Sequence, residues 1–524
     1  MVWLWVGTLL CTAACGEREP RPAPAVAKLA RPALRLVALT DVAGYLEPCG
    51  CQSKPLGGID RAAAKLRELR ADRVPVLFVA AGDLLFGPRP EAASSDAEAA
   101  TQETWKAETL VEIWNRLGLA AATPGKRDLQ FGEPVLAQVM ARSTSQWLPS
   151  KPSEVPVTGW LTKAGEIPVG IVGVSTFEGP EAAIDGQRLR SLGARAQAEL
   201  DRLRTAGARV TVALISSDQR TGRRLSASLH GLDFAIQGGL DEEHAAAPSR
   251  VGGGMLLRAG RQGQGLLVVD IYLGGESPFV DVSEWTRREN KAALQARIGD
   301  LAQRVDAWEH DAKVDRASVD EQRRKLQTLH AELARADSAP AASGNAFSAR
   351  YEPLTSDMTG DPQIGGVVDA YDARVNEHNR IAFADVRPVP APEGAPHYVG
   401  SAACQTCHAP AYSWWTQHQH GRAYTTLERV HKQFNLSCAG CHVTGYGKPG
   451  GATLVHNEGL IHVGCESCHG PGSQHALSPS VSSHKLTASP GEAICKQCHT
   501  PEHSDLFEYE SYVARLRAKG HGAR

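Results

Sequence analysis

The sequence predicts an α/β domain over residues 34–284, a helical hairpin over 285–340, and a C-terminal domain of helices and coil over 397–524. Short apolar runs alternate with amphipathic stretches in the first region, proline is absent from 279 to 339, and 14 of the 19 histidines lie in the last region. A chain of 524 residues is long enough for two or three domains of roughly 100–200 residues each. Its formal charge of −2 argues against a general nucleic-acid binder.

The first 15 residues have the character of an export signal. The run MVWLWVGTLLCTAACG is apolar, shorter than the ~20 residues that span a bilayer, and ends in small residues. Its last part, Thr12 to Gly16, resembles a bacterial lipobox, which implies lipidation of Cys15 and an envelope location, with outer-membrane attachment preferred. A plain secretory signal is the alternative. Residues 16–33, rich in Pro, Ala and charge, are expected to be a tether.

The region 34–284 contains five apolar runs with the length and composition of buried strands. They are LRLVALTD, VPVLFVAAGD, PVGIVGVST, ARVTVALISSD and LDFAIQGG. Helical patterns such as IDRAAAKLRELRA and LGARAQAELDRLRTAG lie between several of them, so a sheet covered by helices is expected. The later runs MLLRAG and GLLVVDIYLGG are expected to close the domain as a β-hairpin.

The region 285–340 predicts two helices. An apolar seam with helical spacing runs through Leu294, Ile298, Leu301, Val305, Trp308, Val319, Leu326, Leu329 and Leu333. Capping-box spacing from Ser318 to Glu321 predicts that the second helix begins there. We expect an antiparallel hairpin that packs on its own chain, with a coiled-coil dimer as the alternative. Residues 341–396 hold one more strand, one more helix and the Pro-rich linker PVPAPEGAP.

Eight of the twelve cysteines form four Cys-x-x-Cys-His motifs. Two thiols at this spacing form thioethers with the two vinyl groups of one haem, and the next histidine supplies an axial nitrogen to the iron. Zinc sites do not require a histidine after every cysteine pair. The sequence therefore predicts four covalent c-type haems. The attachment residues are Cys404, Cys407, Cys438, Cys441, Cys465, Cys468, Cys495 and Cys498, and the proximal ligands are His408, His442, His469 and His499.

The stretches YVGSAACQTCHAPAYSWWTQHQHGRA, CAGCHVTGYG and VGCESCHGPGSQH resemble the tetrahaem cytochrome c-554 family over about 397–521. That resemblance implies electron transfer. It also implies distal ligands at His420, which follows the aligned Tyr412 and Trp415, and at His475 in GPGSxH. His521 and His431 are weaker candidates. The family can leave one iron five-coordinate, and whether this chain does so stays open.

The stretches LVALTDVAGYLEP, GGIDRAAAKL, FVAAGDLLFG and VGIVGVST resemble the 5′-nucleotidase branch of the metallophosphoesterases over 34–284. The resemblance implies a β-sandwich flanked by helices, with two metal ions at the strand ends. Asp41 and Asp83 match metal positions, but Ala43 stands where the family has a ligand histidine. We therefore expect these two aspartates to be vestigial.

The other metal positions of that family are also replaced. Gly125-Lys126-Arg127-Asp128 stands where the family has Gly-Asn-His-Asp/Glu, Ser216 replaces another histidine, and Gly239-Leu240-Asp241-Glu242 replaces a Gly-His-x-His pair. Two carboxylates alone do not hold two metal ions at the separation of about 3.5–4 Å that such sites have. No dinuclear centre and no hydrolysis are expected. As a hypothesis, Lys126 and Arg127 replace the lost cations by charge.

Cys49 and Cys51 follow Glu47-Pro48 and form a possible redox pair. A Cys-x-Cys disulfide closes a small strained ring and is easily reduced. Exchange of electrons or thiols with a partner, or binding of a soft metal, is one interpretation. A structural turn is the other.

Together these features predict an exported electron carrier, rather than an enzyme, attached to the membrane by a lipid. Its partners would be redox proteins, its donor and acceptor and its oligomeric state stay open, and no nucleic acid is expected. The alternatives are an oxidoreductase acting on a small nitrogen compound at an open haem, a residual phosphohydrolase joined to a redox module, and a redox sensor.

Overall fold

The computed structural model describes residues 31–48, 55–88, 97–149, 156–177, 185–239, 245–275, 278–311, 313–336, 344–500, 503–504 and 506–517. The leader with Cys15, most of the predicted tether, Cys49, Cys51, Leu240 to Glu242 and His521 lie outside them.

The strands of the described residues belong to two sheets. They are β1 (Leu34–Thr40), β2 (Val76–Gly82), β3 (Ala121–Pro124), β4 (Gln146–Trp147), β5 (Val157–Ala164), β6 (Ile167–Ser175), β7 (Val210–Ser216), β8 (Phe234–Gly238), β9 (Ala246–Val251), β10 (Gly254–Arg258), β11 (Gly265–Tyr272), β12 (Val280–Asp281) and β13 (Ala346–Pro353).

Apart from α3, the described helices before residue 400 are longer than those after it. They are α1 (Ile59–Arg70), α2 (Ala97–Leu117), α3 (Glu133–Met140), α4 (Gly186–Thr205), α5 (Gln219–Ser228), α6 (Glu284–Glu309), α7 (Arg316–Arg335), α8 (Pro362–Ala382), α9 (Ala409–Gln417), α10 (Ala423–Glu428), α11 (Leu436–His442), α12 (Cys465–His469), α13 (Ser473–Leu477), α14 (Glu492–Cys495) and α15 (Tyr509–Arg517).

The two sheets pack face to face. The seven-stranded sheet has the order β12-β13-β11-β1-β2-β3-β4, and the six-stranded sheet has the order β5-β6-β7-β8-β10-β9. Leu36 and Ala38 of β1 belong to the apolar cluster between the sheets, while Val37 and Leu39 face the cluster formed with the helices. Strands covered on both faces read as continuous apolar runs. The predicted α/β class, a sandwich of sheets flanked by helices, is confirmed.

The predicted β-hairpin of MLLRAG and GLLVVDIYLGG is wrong. Strand β10 pairs with β8 and β9 in the six-stranded sheet, whereas β11 pairs with β1 and β13 in the other. Residues 259–264 therefore cross between the two sheets. The pattern misled because both runs are apolar and close in sequence, as hairpin strands are.

The seven-stranded sheet also takes a strand from beyond residue 284. Strand β13 pairs along its full length with β11, from Gly265 opposite Pro353 to Tyr272 opposite Ala346. Asp270 of β11 ties this edge to the sheet, because it accepts hydrogen bonds from Arg35 Nε and Arg350 Nη1, each at 2.6 Å. The helical hairpin is thus an insertion between β12 and β13 of one sheet.

Helices α6 and α7 form the predicted hairpin. Its seam buries Leu301, Val305 and Leu329, with Leu294, Ile298 and Leu326 partly buried against them. The predicted start at Ser318 is wrong by a few residues. Asp315 is the N-cap and accepts a 2.9 Å hydrogen bond from the Ser318 N–H, so the helix begins at Arg316. An aspartate is as good an N-cap as the serine that the pattern singled out.

The Pro-rich segment is packed against the C-terminal module. The Val389 carbonyl accepts from the Gly450 N–H at 2.7 Å, and the Gly394 carbonyl accepts from Gln474 Nε2 at 2.6 Å. Just before this segment, Arg387 Nη1 lies 3.1 Å from His456 Nδ1.

Within the described residues, every helix is too short or too polar to cross a bilayer.

Candidate functional site

Each Cys-x-x-Cys-His motif lies on or beside a helical turn. The second motif ends α11, the third is α12, the fourth begins at the end of α14, and the first follows the 3-10 helix Ser401–Cys404. The N–H of His408 donates to the Cys404 carbonyl and that of His499 to the Cys495 carbonyl, both at 2.9 Å. Residues three apart share one side of such a turn. Both thiols of a motif therefore face the same side.

Three of the four proximal histidines have the Nδ1 atom engaged. His442 Nδ1 lies 2.7 Å from the Ala423 carbonyl, His469 Nδ1 lies 2.6 Å from the Thr487 carbonyl, and His499 Nδ1 lies 3.1 Å from Ser504 Oγ. A ring that donates through Nδ1 has its Nε2 lone pair available for a metal ion, and such contacts are typical of metal-binding histidines.

Two pairs of histidine rings have the separation that one iron atom between them would require. An imidazole nitrogen binds a metal ion at about 2.0–2.1 Å and lies about 1 Å from its ring centroid, so two axial rings have centroids roughly 6 Å apart. His408 and His475 have centroids 6.3 Å apart, and His420 and His499 have centroids 6.2 Å apart. Each pair joins a proximal histidine to one of the two best distal candidates.

His420 is in the protonation state that binds a metal. Burial, with the nearby His418 and His499, lowers the pKa of His420 to about 4, so its ring is neutral at pH 7. His418 is differently engaged, because its Nδ1 accepts from the His420 N–H at 3.2 Å. The neutral His418 ring then carries its proton on Nε2, which favours His420 as a ligand.

Four other histidines of the module differ from His420 and His475 in their contacts or their position. His462 Nδ1 accepts from the Tyr424 N–H at 3.1 Å, and His456 contacts the Ala384 carbonyl through Nε2 at 2.7 Å. The weak candidate His431 is exposed and has a left-handed backbone, with φ of 55°. The weak candidate His521 lies outside the described residues.

The attachment motifs lie side by side in pairs. The thiols of Cys404 and Cys465 lie close enough for each to shift the pKa of the other, as do those of Cys441 and Cys498. The first motif is therefore next to the third, and the second is next to the fourth. Prosthetic groups bound at neighbouring motifs would be close together.

The composition of the module's interior fits apolar prosthetic groups. Its described residues bury few apolar side chains: Tyr424, Leu427, Ala439, Val443, Ala452 and Leu454. Small domains with little apolar core need disulfides, metals or other covalent constraints for stability. Covalent haems would supply the missing apolar core, and the thiols and imidazoles described above are the groups that a c-type haem binds.

Asp41 and Asp83, which the sequence predicts to be vestigial, meet at the ends of β1 and β2. Asp41 Oδ1 accepts from the Asp83 N–H at 3.1 Å and from the Gly239 N–H at 2.7 Å. A Cβ on Gly82 would lie 2.1 Å from Asp41 Oδ1, so only glycine permits this approach. The two carboxylates that the sequence singled out are thus neighbours, as they would be in a metal site.

A cationic side chain lies against one of these carboxylates. Asp83 Oδ1 accepts from the Arg127 N–H at 2.7 Å, and Arg127 Nε is 3.7 Å from Asp83 Oδ2. Lys126 is exposed instead. In the part of the chain that the structure describes, no group of three or more His, Cys, Asp or Glu side chains is arranged to hold a metal ion.

Asp128, the remaining acid of that motif, has a structural contact pattern. It is fully buried and accepts from the N–H groups of Leu84, Leu85 and Gly125 at 2.8–3.1 Å. Burial raises the pKa of Asp128 to about 6, against the lowering effect of these hydrogen bonds. Asp128 therefore fixes the loop after β2 to the loop after β3.

A buried polar contact between the α/β domain and the module was not predicted from the sequence. Gln102 of α2 is 3% exposed and donates to Asn435 Oδ1 at 3.0 Å. Its Oε1 accepts from the Leu436 N–H at 3.2 Å and from Asn379 Nδ2 at 3.0 Å. Gln102 lies in the buried face of α2, which also contains Leu110. A polar residue in such an apolar stripe is the signal that could have revealed the contact.

An ion cluster lies beside this contact. Lys432 Nζ is 3.2 Å from Asp372 of α8 and also contacts Glu47, which precedes the Cys-x-Cys sequence. The buried thiol of Cys438 lies within the electrostatic reach of both Lys432 and Asp372. Lys432 of the module therefore brings the second attachment motif close to these charged groups of the α/β domain.

The motifs and the comparisons define a multidomain protein with a c-type cytochrome region. More particularly, residues 403–470 match the family model described as cytochrome c554 and c-prime. A curated relative, cytochrome c-554 of Nitrosomonas europaea, is 33% identical over 91 residues, which is 14% of this chain and 39% of the relative. The predicted resemblance to this family is confirmed, and it implies covalently bound haem. The match spans well under half of that relative's length.

Three solved structures that cover most of the chain are similar to it at low identity. A 5′-nucleotidase precursor from Thermus thermophilus is 15% identical, with a TM-score of 0.42 over 82% of this chain and 73% of that chain. The sulfate thiohydrolase SoxB of T. thermophilus is 11% identical, with a TM-score of 0.41 over 82% of this chain and 74% of that chain. The calcineurin-like phosphoesterase YfkN of Bacillus subtilis is 13% identical, with a TM-score of 0.40 over 66% of this chain and 98% of that chain. Likenesses this low say nothing about activity.

Proposed function

We propose that this chain is an exported, lipid-anchored tetrahaem cytochrome that transfers electrons between redox proteins, and that its α/β domain is a non-catalytic platform. The observation that carries the proposal is the pair of histidine contacts, His408 with His475 and His420 with His499, each at the separation expected for axial ligands of one iron. The haem sites are numbered one to four in the order of their motifs.

In this proposal the chain's residues hold and insulate the redox groups. Cys404 and Cys407 anchor the first haem, and the equivalent cysteines anchor the other three. His408 and His475 bind the first iron, and His499 and His420 bind the fourth. Each bound haem supplies a one-electron couple, whose potential depends on axial ligation and burial. Two strong axial imidazoles leave an iron without a position for substrate, which suits a carrier.

The platform role of the α/β domain is supported by its altered metal positions. Arg127 lies against Asp83 where the phosphoesterases that the domain resembles need a metal ligand, and Ala43 and Ser216 replace histidines. A fold does not carry an activity without its site. A phosphodiester hydrolysis assay with added divalent metal is expected to give no turnover. Turnover that is abolished by a chelator would overturn the platform role.

A second candidate, an oxidoreductase acting on a small nitrogen compound at an open haem, is favoured by one observation. The ring pairs at axial separation account for His408 and His499. His442, in contrast, has the imidazoles of His462 and His503 within electrostatic reach, and neither is assigned as its second ligand. An iron with one protein ligand could bind a small molecule.

Electron paramagnetic resonance of the purified oxidised protein tests both candidates. For a carrier we expect four haems, with low-spin signals from the first and fourth. High-spin signals from either of those two would contradict the axial pairs. A single high-spin haem whose signal changes in His442→Ala, together with turnover of a nitrogen substrate, would establish the second candidate instead.

A further inference from the structure

A buried carboxylate lies inside the third haem-attachment motif. Glu466, between Cys465 and Ser467, is 2% exposed. Its Oε1 accepts from the Gly472 N–H at 2.6 Å, and its Oε2 accepts from the Gly400 N–H at 2.8 Å. The Val399 N–H is 3.0–3.1 Å from both oxygens. Hydrogen bonds to an ionised acceptor are short and stronger than those between neutral groups.

These donors belong to the two segments that carry His408 and His475. Gly400 is the N-cap of the 3-10 helix Ser401–Cys404, which leads into the first motif and His408. Gly472 is the N-cap of α13, which carries His475. One carboxylate therefore holds both segments whose rings lie 6.3 Å apart.

Further hydrogen bonds join the same segments. The Cys465 N–H donates to Ser401 Oγ at 3.1 Å, and the Ser473 N–H donates to the His397 carbonyl at 3.1 Å. Glu466 nevertheless has the central place, because it contacts both sides directly.

The equivalent position of the other motifs is occupied differently. Gln405 and Lys496 are exposed there, and Lys496 forms a surface ion pair with Glu492 at 2.8 Å. Ala439 has no polar side chain. A charged side chain at this position is therefore not needed for haem attachment in general, which points to a separate role for Glu466.

We infer that Glu466 is a positioning residue for the axial ligand of the first haem, so that the third motif controls the ligation of the first iron. The inference rests on the proposed function, and in particular on His475 as an axial ligand. Without the carboxylate, the N–H groups of Gly400 and Gly472 lose their common acceptor. The segment carrying His475 is then held to the segment of the first motif only by weaker neutral contacts, such as that of Ser473 with His397. Its distance from His408 is no longer fixed by the carboxylate.

The test is Glu466→Gln in the full-length, haem-loaded protein. Glutamine keeps the size of the side chain but turns an NH₂ group toward backbone N–H donors. We expect four haems by mass spectrometry, one additional high-spin haem by paramagnetic resonance, and recovery of the low-spin signal with added imidazole. His475→Ala should give the same signature, and the double variant should add nothing. Lys496→Gln is the matched control and should leave the spectrum unchanged.

The possible failures are distinguishable. If His475→Ala remains fully low-spin, the axial assignment in the proposed function is wrong. If His475→Ala turns one haem high-spin but Glu466→Gln does not, the positioning role is wrong.

If Glu466→Gln does not mature, Gly472→Ala replaces it. Its new Cβ would lie 3.2 Å from Glu466 Oε1 and displace the same contact. A partial high-spin signal in Gly472→Ala supports the role, and a fully low-spin spectrum overturns it.

Discussion

The α/β domain and the C-terminal module are stabilised by different means. The α/β domain has one apolar cluster between its sheets and one on each outer side, where α1, α2 and α8 or α4 and α5 pack. The module has one small buried cluster of Tyr424, Val443 and Ala452. Helices α9 to α15 have four to nine residues each, whereas isolated helices below about 12–15 residues are marginal in water. The α/β fold is thus specified by its apolar pattern, and the module by its attachment residues.

The largest expected effect is the loss of helical structure in the module while the α/β domain stays folded. Replacing both Cys465 and Cys468 with alanine should remove the third haem and with it the module's helical order, because little apolar core remains. The thermal transition of the α/β domain should stay in place. Mass spectrometry reports the haem count, and circular dichroism reports the helices.

Ser467→Ala is the control, since it lies between the same two cysteines and leaves both thiols. If the module keeps its helices without the third haem, its fold is not specified by its attachment residues.

The reverse experiment perturbs the α/β domain alone. Asp270→Ala leaves the buried Arg35 without its principal partner and detaches Arg350 of β13. Breaking a buried ion pair costs up to about 3–5 kcal/mol of unfolding free energy, and Asp72, which stays 3.0 Å from Arg35, places the expected loss toward the lower end. Denaturant titration followed by tryptophan fluorescence should show the loss, while the haem count stays at the wild-type value.

Asp320→Ala, which removes an exposed partner of Arg323, should have a much smaller effect on the unfolding free energy, because solvent screens this pair. Equal losses in the two variants would contradict the structural role of the β11–β13 ion pairs.

The contact between the regions should give a smaller effect. Gln102→Ala removes the acceptor for Leu436 and Asn379 and the donor to Asn435, and unsatisfied buried partners cost about 1–3 kcal/mol. The haem-detected and tryptophan-detected urea transitions should move apart relative to the wild type. Gln197→Ala, at a more exposed site that contacts His230 and Asp201, is the control and should leave their relation unchanged.

The smallest effect is expected from the Cys-x-Cys sequence. If Cys49 and Cys51 form only a structural turn, replacing both with serine should leave the haem reduction potentials unchanged in spectroelectrochemical titration. A shifted potential, or altered reactivity with a thiol reagent in the wild type when the haems are reduced, would support the redox interpretation.

The five strands chosen from the sequence are all present because each is covered on both sides and so appears as an apolar run. The membership of β13 was not predictable, since the inserted hairpin separates it from β11, its partner. The crossing at residues 259–264 was also not predictable, because a pattern of apolar runs does not say which sheet a strand joins.

In the candidate site, too, local features were predictable and contacts between residues distant in sequence were not. The attachment cysteines are local and could be read directly from their spacing. The resemblance indicated His420 and His475, but which iron each one faces depends on contacts such as His420 with His499, between residues distant in sequence. Gln102 was missed because the apolar stripe of α2 indicates a buried polar side chain but does not say which residues that side chain contacts.

The packed Pro-rich segment decides how this protein meets its partners. A domain on a free arm could swing its redox groups from one partner to another. Here Val389 and Gly394 are bound to the module, and His456 is held by Ala384 and Arg387. The two regions must therefore diffuse as one body. Under the proposed function, a donor or acceptor would approach a haem edge with the α/β domain always at the same side of it, so that this domain would limit the directions of approach.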